Sequence, residues 1–187
     1  MPNKPAIYAD AACFIDAVKF DTNTQLEDLR RKDAWYFKKL LQAHRDREIT
    51  VYTSTLSIAE ATHIGKTPVP QNVQKAFDAL LTSGQYCYLI QDTPFICMDA
   101  RDLRWRDDIA LRGPDSIHLS SALNRECAEF ISLDKRFSRI EEYSEKLAGK
   151  GIRIIIPSHT KVLPKKYLQG DLLGDAWEKN DESTAEE

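Results

Sequence analysis

No run of apolar residues approaches the ~20 that a membrane-spanning helix needs. No positively charged leader precedes a hydrophobic stretch, so the expected address is the cytoplasm. There is no CxxC pair: Cys13, Cys87, Cys97 and Cys127 are scattered, as are His44, His63, His118 and His159. That dispersal argues against a structural zinc site, and reduced cysteines in strands and helices act as small hydrophobes. Neither GxGxxG nor GxxxxGK occurs, so a nucleotide cofactor is not indicated. What remains is ordinary globular chemistry: 187 residues, 42% apolar and 29% charged, enough for one domain with its own core.

The net charge of −3 conceals an asymmetry. From Asp171 onward there are seven acids and one base, so residues 1–170 carry +3. Such a body suits a polyanionic partner. The final "NDESTAEE" has no apolar face and reads as disordered. The expected division is one domain over 1–160 and a C-terminal extension with the acidic tail over 161–187.

Along the chain, "AIYA" reads as a buried strand and Ala11 to Lys19 as a helix. A polar stretch follows, then a long helix with an apolar stripe of Leu26, Leu29, Ala34, Phe37, Leu40 and Leu41. "LRRKD" and "FKKL" within it read as ordinary surface charge. Further strands are expected at Ile49 to Thr53, "YCYLIQ", "AEFISLD" and "IRIIIP". Between them lie helical patterns: "STLSIAEATHIGK" capped by Ser54 or Thr55, "VPQNVQKAFDALLTSG", "TPFICMDARDLRWRDD", "GPDSIHLSSALNREC" and "KRFSRIEEYSEKLAGKG". Strands alternate with helices and no two-residue hairpin turn is present. The pattern predicts an α/β fold with a central, mainly parallel sheet of about five strands flanked by helices in three layers.

In open parallel sheets, ligands bind beyond the carboxyl ends of the strands. Asp10 follows "AIYA" and Asp134 follows "EFISL", while Asp115 opens a helix behind Gly113 and Pro114. Each could be a plain helix cap, worth ~0.5–2 kcal/mol. Glu60 is harder to explain as a cap. It shares a helical row with Leu56 and Ile64, where a carboxylate is costly without a partner. Two carboxylates ~4 Å apart repel by roughly 4 kcal/mol at an effective dielectric near 20. A gathering of four acids therefore calls for protonation or a cation, and oxygen-only donors suit magnesium or manganese.

These residues resemble the PIN-domain ribonucleases, and in particular VapC-type toxins of toxin–antitoxin pairs. The likeness runs from about Ala6 to Pro157. "IYADAACFID" looks like the opening strand with its first Asp, "STLSIAEATHIGK" like the glutamate helix, and "LRGPDSIHLSSALNRECAEFISLDKRF" like the most distinctive block. The resemblance implies that Asp10, Glu60, Asp115 and Asp134 hold Mg2+ or Mn2+ and that RNA is cut by an activated water. It matches Ser132 to a hydroxyl supporting the last acid and gives His118 a packing role. It also implies a small antitoxin partner and a homodimer. The sequence departs from the family at Ala11 and Ala12, where Thr or Ser and then Asn or Ser are usual.

A rival reading is a non-catalytic PIN-like module that binds RNA or protein, which Ala11 and Ala12 favour and the four acids oppose. A phosphohydrolase would want a second Asp at position 12, and a receiver domain a lysine at a late strand end. The "RDLRWRDD" segment could contact RNA through its arginines and Trp105. Its interleaved acids read better as a solvated helix face. Glu60 and His63 form an ExxH, but no second copy exists to build a di-iron bundle.

Overall fold

The computed structural model describes residues 4–22, 26–61, 68–134 and 143–168. Five strands form one sheet: β1 (Ala6–Ala9), β2 (Thr50–Ser54), β3 (Tyr88–Ile90), β4 (Glu129–Ile131) and β5 (Arg153–Ile155). Their order is β3-β2-β1-β4-β5 and every pairing is parallel. The helices are α1 (Ala11–Asp21), α2 (Asp28–Arg45), α3 (Leu56–Glu60), α4 (Gln71–Leu81), α5 (Pro94–Trp105), α6 (Gly113–Asn124) and α7 (Ser144–Gly149). The expected α/β architecture is the observed one. Among the described residues, no helix is long and apolar enough to cross a membrane.

β1 is central, and its residues alternate between two cores as strand geometry requires. Ile7 and Ala9 join Phe14, Val18, Phe37 and Leu40 on one face. Tyr8 joins Ile96, Leu103, Leu119 and Phe130 on the other. Phe14 meets Phe37 edge-on at 5.0 Å, and Tyr8 stacks on Phe130 at 5.2 Å. Because both faces are covered, β1 reads as an unbroken apolar run. Leu163 and Tyr167, beyond residue 160, also belong to the first core.

Several boundaries differ from expectation. β2 runs one residue later because its register is fixed on both sides, at Ala6↔Thr50 and Ser54↔Ile90. β3 keeps only the three residues that find partners on β2. α6 stops at Asn124, before the expected Cys127, because Glu126 takes a left-handed turn with φ 51°. α4 likewise ends before Gly84, whose φ of +69° belongs to the following turn. Leu29 is 78% exposed and leaves the expected stripe, since the buried face of α2 begins at Asp33 and Ala34. α3 is a five-residue helix; His63, Ile64 and Gly65 lie outside the described residues, as do the first half of the helix expected from Lys135 and the acidic tail.

Candidate functional site

The strand order reverses between β1 and β4, because the chain runs β1, β2, β3 to one side and then returns to place β4 on the other. Crevices form at such a switch point, beyond the strand ends. Asp10 and Ser132 stand there, one residue past β1 and β4, whose last residues Ala9 and Ile131 pair.

Asp10 is the N-cap of α1 and accepts a hydrogen bond from the Cys13 backbone N–H at 3.3 Å. Its own N–H donates to the Ile131 carbonyl at 3.1 Å. Ser132 donates its hydroxyl to Asp10 Oδ2 and accepts the Asp134 backbone N–H at 3.0 Å. One hydroxyl thus fastens the first acid to the backbone of the last. The sequence reading tied Ser132 to Asp134 alone; the link to Asp10 is the larger finding. Asp10 is only 5% exposed, and burial pushes its carboxyl up to about 6 despite the Ser132 bond and the nearby His118 ring. Capping alone does not account for a carboxylate taken this far out of water.

Glu60 is the last residue of α3, and that helix is pinned from several directions. Thr53 Oγ1 donates to the Ala9 carbonyl at 2.7 Å. Ser54 and Thr55 donate to the two oxygens of Asp92 at 2.6 and 2.7 Å. Ser54 Oγ also accepts the Leu56 N–H at 2.9 Å, so Ser54, one residue before the N-cap Thr55, satisfies the first N–H of the helix. Glu60 Oε2 lies 2.8 Å from His118 Nε2, with the glutamate side chain 35% exposed and the histidine 2%. The partner that the helical row lacked comes from α6.

His118 stands one turn after Asp115, which is buried in the first turn of α6. Its Nδ1 is 2.6 Å from the Tyr8 hydroxyl. Burial holds the Tyr8 phenol well above its usual range, so it remains a hydroxyl. With Tyr8 donating to Nδ1, Nε2 carries the hydrogen given to Glu60. The histidine assigned to packing therefore links the central strand to the acid of α3. Its signal in the sequence was the three-residue spacing from Asp115, which places both on one side of α6.

Other buried acids have structural duties. Glu129 accepts from Arg153 at 2.9 Å, Thr160 at 2.6 Å and the Lys161 N–H at 3.0 Å. Asp33 accepts the Ser158 N–H at 3.0 Å, and Arg30 reaches Asp16 at 2.6 Å. Among the described residues, no three His, Cys, Asp or Glu side chains are gathered closely enough to hold a metal ion. The donor chemistry at the switch point nonetheless fits a hard cation. Asp10's hydrogen-bond partners, Ser132 and the Cys13 N–H, are both uncharged, and carboxylate oxygens are magnesium and manganese ligands.

A doubly wound parallel sheet with acids at its switch point defines a class of α/β protein rather than one family. The sequence model of the PIN domain matches residues 18–143, more than half the chain, and the chain belongs to the PIN-domain family. That span includes Glu60, Asp115 and Asp134; Asp10 lies before it and enters through the Ser132 contact. None of the curated proteins compared with the chain matches it.

Proposed function

We propose that this protein is a metal-dependent endoribonuclease of the PIN family, acting in the cytoplasm as the toxin of a toxin–antitoxin pair. The observation that carries the reading is the bridge from Asp10 through Ser132 to Asp134, at the switch point of the sheet, together with the clamping of Glu60 by His118. Asp10, Glu60, Asp115 and Asp134 would hold Mg2+ or Mn2+. When bound, such an ion supplies an activated water and offsets the charge that develops on the phosphate. Ser132 fixes the direction of the Asp10 carboxylate, and its acceptance of the Asp134 N–H sets the turn carrying that acid. His118 holds Glu60 against α6, and Tyr8 fixes the ring. A small antitoxin and a second copy of the chain are the partners that go with this reading.

The experiment is cleavage of structured and unstructured RNA by the pure protein in manganese, magnesium or EDTA, with Asp10→Asn as control. Cleavage that needs the ion and Asp10 supports the reading. Intact RNA under every condition hands the site to the second reading, a PIN-like module that binds without cutting. Ala11 and Ala12 favour that alternative, because neither side chain can hydrogen-bond beside Asp10.

A further inference from the structure

Two basic stretches that read as plain surface charge, "LRRKD" and "FKKL", meet on one side of α2. Arg31, Lys38 and Arg45 recur every seven residues, which places them in one row along the helix. Lys38 Nζ stands 5.1 Å from the Phe20 ring centre, Lys39 Nζ 4.9 Å from Trp35, and the Arg45 guanidinium 5.1 Å from Tyr86. Arg31 approaches Phe20 from its own position at 5.6 Å. The three rings and the Lys38, Lys39 and Arg45 cations line an open groove of about 530 Å³ between α1, α2 and the segment after α4. Asp21 is the one acid among the described residues of that lining, and Lys38 already contacts it. A chain with a net charge of −3 has therefore concentrated cations and aromatic rings in one concavity.

We infer that this groove is a second binding site for single-stranded RNA, separate from the acidic corner; the inference rests on the nuclease reading for its biological substrate. Cations spaced along a groove take successive phosphates, while the partly exposed rings of Phe20 and Tyr86 receive bases without regard to sequence. Trp35, buried against Tyr36, forms the groove wall beneath Lys39. The position fits a continuous strand. Ala17 and Phe20 line the groove and sit on α1, seven and ten residues after Asp10. At the helical rise, that puts the groove roughly 10–15 Å along the axis from the acids. A strand held at the groove reaches the corner within a few nucleotides. Its role is to hold the RNA flanking the cut.

The test uses the full chain with EDTA present, so that binding is read without cleavage. A fluorescein-labelled twelve-nucleotide single-stranded RNA is titrated by anisotropy against the parent, Lys38→Ala/Lys39→Ala/Arg45→Ala, and a control, Lys161→Ala/Lys165→Ala. The groove variant is expected to bind at least tenfold more weakly, with the slope of log affinity against log salt reduced by about two. The control keeps the parent's values. Unchanged affinity and slope in the groove variant overturn the inference. A photoreactive residue in place of Gln42, at the groove lip, gives a readout that survives any folding defect of the triple variant. An adduct with the RNA supports the site. An adduct with residues 169–187 of the same chain, undiminished by added RNA, overturns it. Weakened binding in the groove variant with no cleavage by the parent in metal leaves the groove standing and sinks the nuclease reading alone.

Discussion

His118 Nε2 and Glu60 Oε2 lie 2.8 Å apart, joining two helices that the chain separates by more than fifty residues. The contact matters because Glu60 ends a five-residue helix and has little else of its own to hold it. Partners that orient a ligating group typically contribute 10–100-fold to metal affinity or activity. His118→Ala is expected to lower RNA cleavage by that factor and to raise the manganese concentration giving half-maximal rate. His118→Gln, which keeps a donor for Glu60, is expected to recover part of the loss. A purely packing role would leave the manganese dependence unmoved in both variants.

Asp10 makes metal-free stability depend on pH. Its folded carboxyl titrates at about 6, against ~3.9 in an unfolded chain. Between those values the native state holds a proton that the unfolded state has lost. Stability from this group is full at the acid end and lost as pH rises through 6, by about 3 kcal/mol at most. In EDTA, Asp10→Asn is expected to be more stable than the parent at pH 7.5, with the gap closing towards pH 4. Urea unfolding at the two pH values checks the sign.

Ser132→Ala removes a donor that lowers the Asp10 pKa and the acceptor for the Asp134 N–H. The acid limb of the cleavage profile should therefore move to higher pH. The loss in rate should be greater at pH 6 than at pH 8, and a uniform loss at both would contradict this role.

Glu129→Gln tests the opposite kind of buried acid. Glu129 is fully buried with three partners from β5 and the segment after it. Its replacement should cost about 1–3 kcal/mol of unfolding free energy. The metal dependence of cleavage by the folded fraction should stay as in the parent.

The fold was legible because its signals are local. Apolar runs such as "AIYA" and "EFI", alternating with amphipathic helices, announce a parallel sheet before any contact is known. Asp10 carries the same kind of local signal, since it follows β1 directly, whereas Asp134 stands three residues beyond β4. What escaped were pairings across the sheet. Nothing near Glu60 in the chain names His118, and nothing near Ser132 names Asp10, because tertiary packing alone joins them. Leu29 failed for the converse reason: helical period places it in the stripe, but the core begins further along α2. Arg31 and Lys38 looked ordinary because the ring they meet, Phe20, comes from another element.

β1, the middle strand of the sheet, precedes both of its neighbours in the chain. β1 must wait for β2, some forty residues later, to cover one edge and for β4, beyond residue 128, to cover the other. No nascent chain that stops short of Ser132 can close the Asp10 corner. Whatever chemistry that corner performs is withheld until the chain has been made past Ser132.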